Sequence, residues 1–387
     1  MNCQICHNKT RNLLGFKNQP ISNRYLKNPK DREETYNLTV VQCESCGLIQ
    51  LKNPISPYEL LPRYPWLIYN EPEKHLNNLA TDIESLYKLK KSSLIFGLSY
   101  KDNSLLKRLK KRGFENIHTM DTTTDLNIKN RYSIPDILEK LSTRDNIERL
   151  KKKYNPDVII ARHILEHCSN PIDFLNKLKD LIGTEGYIIL EVPDCQKAFD
   201  SLNYTALWEE HICYFTQFTF REALEVNGFE ILNFYSYPYP LENSLIAVIK
   251  TGSATEKGDL KEEIERGVRF SSKFSQVKKC IRSIVYDLSR KGKIAIFGAG
   301  HTACVFINFF ELKDFIKFVI DDHENKKDLY MPGSHLRIFS SENLLSKDIR
   351  YCILALNPTV EDKIVSRNKE FINNGGKFIS LHGIMGK

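Results

Sequence analysis

Short apolar runs bounded by turn residues, each followed by a stretch of helical periodicity, recur in two blocks, and no other feature narrows the fold as far. The first block carries SLIFGL (93–98), NIHTMD (116–121), DVIIA (157–161) and YIILEV (187–192). Strand and helix in alternation predict a doubly wound parallel sheet, because a helix is the usual return path between parallel strands. FEILNF (229–234) and SLIAVIK (244–250) follow without an intervening helix, so an antiparallel pair is expected to close that sheet. From residue 254 to 290, Leu260, Ile264, Val268, Phe274, Val277, Ile281, Ile284 and Leu288 recur at three- to six-residue intervals. One long amphipathic helix bridging two domains fits that spacing. KIAIFGAG, FIKFVIDD, YCILAL and GKFISLH then reopen the alternation.

Residues 1–75 lack that periodicity and hold two CxxC pairs, Cys3/Cys6 and Cys43/Cys46. Four thiolates suit one tetrahedral zinc ion, and a metal crosslink offsets the small core of such a segment. The six other cysteines stand singly and read as small buried hydrophobes. The expected division is 1–75 as a zinc-binding module, 76–253 as one α/β domain, and 254–387 as linker helix and second α/β domain. No apolar run approaches a membrane span and the N-terminus has no signal-peptide pattern, so a cytoplasmic protein without membrane partners is expected. The net charge of +8 gathers in runs such as Lys107–Arg112 and Lys151–Lys153. These read as wet helix ends or as an attraction for anionic ligands. Nucleic acid is disfavoured, since the runs lack interleaved aromatics and finger spacing.

Four constellations could carry chemistry. The strand ending at Gly97, its following loop with Asp102, and the next strand ending at Asp121 have the layout that holds an adenosine, with a carboxylate for the ribose hydroxyls. The strand DVIIA delivers Arg162, His163, Glu166 and His167 to the sheet's C-terminal edge. The segment ALWEEHICYF (206–215) sets Glu209, Glu210 and His211 in an apolar run. Neutral His211 would suit a general base there, oriented by Glu210, or would be a core histidine bound to a carbonyl. In the last block, Gly298, Gly300 and Ala303 form a GxGxxA loop with Asp321 at the end of the next strand, the pieces of an NAD site.

Taken together, CQIC, QPISNRYL and CESCGLIQL, then ARHILEH, FLNKLKDLIGTEGYIILEVP and EEHICYF, then VIDDHENKKDLYMPGSHLRI, ILALNPTVEDKI and NNGGKFISLHG resemble the sugar C-methyltransferase family along nearly the whole chain. The resemblance implies a zinc module, a central Rossmann-like class I methyltransferase domain binding S-adenosylmethionine, and a second Rossmann-like domain. It implies C-methylation beside the ketone of a nucleotide-linked deoxysugar, through base-assisted enolate formation. By position, Glu210 and His211 match the end of the family's YHEH pocket, His167 a pocket histidine, Tyr64 a substrate-side tyrosine and Asp121 the ribose-binding acid; Gly97, Asp102, Arg162 and His163 stand on the cofactor edge. Two departures accompany it. YHEH is here Trp208-Glu209-Glu210-His211, and the usual GSNDG loop is a longer, glycine-poor stretch from Gly97 to Asn103. An NAD-dependent nucleotide-sugar oxidoreductase or isomerase on a methyltransferase-like scaffold is the second reading.

Overall fold

The computed structural model describes all residues except 1, 65, 68–70, 87, 131, 254–257 and 386–387. Strands β1 (Thr10–Pro20), β2 (Thr35–Cys43) and β3 (Ile49–Leu51) form an antiparallel sheet at the N-terminus. The next sheet begins with β4 (Ile95–Gly97), β5 (Ile117–Thr119), β6 (Val158–Arg162) and β7 (Tyr187–Asp194), all parallel. Every residue of β6 is buried, as expected of a strand covered by helices on both faces. Strand β8 (Cys213–Tyr214) leaves this domain and pairs antiparallel with β3, Ile49 opposite Tyr214. Strands β9 (Phe229–Tyr237) and β10 (Asn243–Thr251) complete the middle sheet as the antiparallel pair expected, in the order β5-β4-β6-β7-β10-β9. The helix between β6 and β7, Pro171–Ile182, starts at a proline with Asn170 capping Asp173 N at 3.2 Å and stops at Gly183, whose φ of 76° lies in the left-handed region.

Strands β11 (Lys293–Phe297), β12 (Ile316–Ile320), β13 (Ile338–Phe339), β14 (Ile349–Leu354) and β15 (Lys377–Ser380) form an all-parallel sheet in the order β13-β12-β11-β14-β15. The bridging helix spans Lys261–Lys291. Its first turns lie on the N-terminal sheet, where Gln42 Nε2 donates to Glu263 O at 2.7 Å and Gly267 leaves room for the Gln42 side chain. Farther along, Phe270, Ile281 and Val285 enter a core shared with Phe16 of the N-terminal sheet, Tyr204 of the middle domain and Phe310 of the last one. Burying each such ring stabilises by about 1.5–3 kcal/mol, so the three units are held as one body by a common apolar junction. The basic runs close the last turns of helices Asn103–Lys111 and Arg144–Tyr154, where cations suit the helix dipole. Five single cysteines are buried; Cys280, on an outward face of the bridging helix, is exposed, contrary to the expectation. No helix among the described residues is long and apolar enough to cross a membrane.

Candidate active site

The two CxxC pairs meet at one corner of the N-terminal sheet. Cys3 Sγ lies 3.7 Å from Cys46 Sγ, and Cys6 Sγ 3.4 Å from Cys43 Sγ. Four sulfurs at about 2.3 Å from a tetrahedral zinc ion stand roughly 3.8 Å apart, so the set fits the ion with little movement. Ile5 N, Ser45 N and Asn8 Nδ2 donate to Cys3, Cys43 and Cys6 sulfur at 3.4, 3.3 and 3.4 Å, as thiolate ligands require. His7 and Gly47, each following a second cysteine, have φ of 55° and 73° and turn the chain around the metal position.

At the C-terminal edge of the middle sheet, β6 and β7 end in a buried charge network. Glu191, fully buried on β7, accepts from Arg162 Nε and from Ser244 Oγ at 2.6 Å, and lies 3.1 Å from both His163 Nε2 and His75 Nε2. Burial would raise the Glu191 carboxyl, but Arg162 and His163 hold it well below the carboxylate range. Burial likewise opposes the His163 charge, yet Glu71 and Glu191 raise its pKa to about 10. His163 has a φ of 51°, a left-handed conformation uncommon outside glycine that turns its ring into this network. Lys101 Nζ is paired with Glu71 at 2.8 Å, and the two hold each other charged against burial.

The segment after β7 folds back over that edge. Leu51 N of β3 donates to Ile212 O at 2.9 Å, and Ile212 N donates to Glu166 O at 2.7 Å, which fixes the segment between two sheets. His211 therefore faces His167, their ring centroids 4.9 Å apart. His167 Nδ1 donates to Glu210 O at 2.7 Å, leaving Nε2 as the acceptor nitrogen of a neutral ring. Burial, with Lys101 adding for His167 and His167 adding for His211, lowers both rings to about 3. A cavity of about 990 Å3 opens here, and Tyr64, His167, Glu210 and His211 all line it. Glu210 accepts from Asn23 Nδ2 at 3.0 Å. Glu209 turns the other way: buried, it accepts from Ser22 N and Ser22 Oγ, both at 2.6 Å.

The expected cofactor residues divide. His163 lines the cavity. Arg162 does not; its guanidinium is held by Glu191, the Lys101 carbonyl and Ser104. Asp102 is buried beneath the loop, accepting from Ser99 N at 2.8 Å and Arg162 N at 2.9 Å, and burial raises it to about 7. Its side chain and Leu106 pack where a Cβ on Gly97 would sit, so that glycine serves the close approach of Asp102. These three build the loop rather than face a ligand. Asp121 stands past the end of β5, where Oδ1 accepts from Thr123 N and Thr124 N. Lys101, Glu71 and Glu242 also line the cavity and were not singled out; Glu166, placed at this edge by the sequence but given no role, lines it too. The signal available was a charge in or beside an apolar run, Glu191 within YIILEV being the plainest case.

The GxGxxA loop of the last domain is likewise occupied by its own chain. Gly298 has a φ of 104°, Asp321 Oδ2 accepts from Ala299 N at 3.0 Å and Lys326 Nζ at 2.8 Å, and Tyr25 donates to Ala299 O. Ala303 is buried. The acid a nicotinamide ribose would need, Asp321, is engaged with the loop, so this geometry lends the expected NAD site no support.

Three families match along the chain: residues 3–60 match "Putative zinc binding domain", 99–233 "Methyltransferase domain" and 242–381 "C-methyltransferase C-terminal domain". C-methyltransferase NovU of Streptomyces niveus is 22% identical over 97% of this chain and 94% of that one. Among solved structures, a SAM-dependent methyltransferase from Anabaena variabilis ATCC 29413 is 14% identical, TM-score 0.30, over 46% of this chain and 85% of that one. The CcbJ methyltransferase from Streptomyces caelestis is 10% identical, TM-score 0.31, over 49% of this chain and 100% of that one.

Proposed function

We propose that this chain, which matches a zinc-binding domain, a methyltransferase domain and a C-methyltransferase C-terminal domain in order, uses S-adenosylmethionine to methylate a carbon beside the ketone of a nucleotide-linked deoxysugar. The observation that carries this reading is the convergence of Tyr64, His167, Glu210 and His211 on one cavity beside the middle sheet's C-terminal edge. A hydrogen beside a carbonyl is weakly acidic, so its removal needs a base and a group that stabilises the charge growing on oxygen. His211, neutral at physiological pH, takes the proton with Glu210 beside it, and Tyr64 faces the substrate. The donor supplies an electrophilic methyl group, and catalysis then depends on holding the two reactants at near-contact distance.

The donor set suits that cofactor. Lys101 and His163 offer cations to an amino-acid carboxylate and Glu71 an acid to its ammonium; Asp121 is the candidate for the ribose. For a nucleotide diphosphate, the far side of the cavity provides Gly300, His301 and Thr302 at the start of helix His301–Phe309, and Lys326. Helix N-termini and lysines favour phosphate. Trp66, stacked on Tyr64 and Tyr25, is an aromatic platform for a base.

The test is mass spectrometry of keto-deoxysugar nucleotides incubated with S-adenosylmethionine, together with His211→Ala. A gain of one methylene unit by the wild type alone, with the variant folded and retaining its zinc, is expected. Full turnover by the variant would overturn the assignment of His211, and no methylated product with any keto sugar would overturn the substrate class.

A further inference from the structure

Glu166 lines the cavity, and its surroundings are unlike those of a structural carboxylate. It is buried, and among the described residues its Oε2 has no hydrogen-bond partner. Its Oε1 is 3.4 Å from His163 Nδ1. A buried carboxylate oxygen left without a donor is costly, and it invites a cation. One donor atom from each of Glu166, His167 and His211 lies within 4.8 Å of the other two. We propose that these three side chains bind a divalent first-row transition-metal ion inside the substrate cavity, separate from the four-cysteine site.

The ligand chemistry supports this. Zinc-class ions hold imidazole nitrogen and carboxylate oxygen at about 2.0–2.2 Å, so neighbouring ligands stand roughly 3 Å apart and the three donors need only modest closing. His167 already meets the usual outer-shell requirement: its Nδ1 is fixed on the Glu210 carbonyl at 2.7 Å, which aims Nε2 outward. Glu166 and His167 sit in the turn after β6, and His211 is anchored to that turn by the Ile212 N to Glu166 O hydrogen bond. The ligands therefore come from two segments already locked together. The nearby cations are matched: Lys101 by Glu71, and His163 by Glu191. Three protein ligands leave open positions facing the cavity, where water completes the coordination.

Whether the ion binds is independent of the methyl-transfer reading; what it does there rests on that reading. Coordination would occupy the His211 nitrogen that the proposed reaction uses as its base, so an ion held here would keep the enzyme inactive until it leaves.

Manganese(II) discriminates the two metal sites, because nitrogen and oxygen donors suit it and a thiolate cage does not. The full-length zinc-loaded protein is titrated with manganese(II), free ion being followed by electron paramagnetic resonance, and Glu166→Gln and His167→Gln are compared with the wild type. Binding of one manganese per chain, weakened by about tenfold or more in each variant with zinc content unchanged, is expected. Absence of stoichiometric binding, or equal binding by both variants, refutes the site. Donor affinity and methyl transfer are measured on the same samples. Methyl transfer at full rate in protein with one manganese bound per chain rejects an ion held on His211 and leaves the reaction. Tight manganese binding without donor binding rejects the reaction and leaves the ion.

Discussion

Replacing Glu191 with glutamine tests whether the charge network beneath the cavity is a supporting element or incidental. The substitution keeps shape and an oxygen able to accept from Ser244, but removes the negative charge facing Arg162 and His163. Arg162 is 1% exposed, so its guanidinium cannot be rescued by water. Breaking one partner out of a buried pair costs about 3–5 kcal/mol, and the retained hydrogen bond places this change near the low end, about 3 kcal/mol. The loss has a pH signature. His163 titrates near 10 in the folded chain, above its ordinary value of 6.5, so its stabilisation is complete below about pH 6.5 and disappears as pH rises through 10. Without Glu191 the folded pKa of His163 falls, and the variant has less of this contribution to lose. The stability gap between the two proteins should therefore be widest at low pH and narrow towards pH 10. Urea unfolding followed by circular dichroism at pH 6, 7.5 and 9 measures it. Adding Arg162→Met should recover part of the loss, because the stranded cation is gone. A cost under about 1 kcal/mol, a gap that widens with pH, or no recovery in the double variant would refute the network as described.

Two further outcomes follow from the cavity. Burial lowers the folded pKa of His167 and His211 to about 3, so both rings stay neutral from pH 5 to 8, and the stability this carries is present above 6.5 and lost as pH falls towards 3. In histidine NMR spectra the resonance missing from His211→Ala should not titrate between pH 5 and 8; a midpoint between 6 and 7 contradicts the burial argument. Glu209→Ala strips the acceptor from Ser22 N and Oγ and should cost about 1–3 kcal/mol in thermal denaturation, while donor affinity stays at the wild-type value because the carboxylate faces away from the cavity.

The four parallel strands of the middle sheet and four of the five in the last were legible as short runs between turns, and runs such as VIIA are buried on both faces and tolerate no alternation; β13, two residues long, was missed. Strand β8 was not, since two residues carry no periodicity and their partner, β3, lies more than a hundred residues earlier. Tyr64, His163, His167, Glu210 and His211 of the pocket were found through motif position and resemblance, whereas the directions of their neighbours were not. Sequence sets Glu209 and Glu210 side by side, and only the backbone turn decides that one faces the cavity and the other Ser22. Asp102 and Arg162 stand at positions where a ligand contact is expected, but each finds a closer partner inside the fold. Asp321 likewise answers the nearby Ala299 N and Lys326. A charged side chain at a sheet edge is thus a site candidate whose role depends on whether its own chain reaches it first.

The four-cysteine corner connects to the proposed active site through one continuous path. Cys43 ends β2 and Cys46 precedes β3, so the four-cysteine site sets the corner from which β3 runs. Strand β3 receives β8, and Leu51 N holds Ile212 O at 2.9 Å while Ile212 N holds Glu166 O at 2.7 Å. His211 is the residue immediately before that clamp. Lys101 and His163, proposed above to hold the donor, instead follow β4 and β6 of the middle sheet, whose strands do not pair with β3. Loss of zinc, by Cys43→Ser or by a strong chelator, should then misplace His211 without dismantling the donor crevice. Methyl transfer is expected to fall about 100-fold or more, as when a reacting group is displaced by an ångström, with donor affinity changed less than about threefold. Calorimetric donor titration beside rate measurement on zinc-depleted protein decides it. A parallel loss of both would mean that the module supports the whole middle domain, and unchanged turnover would mean that β8 holds its place without β3.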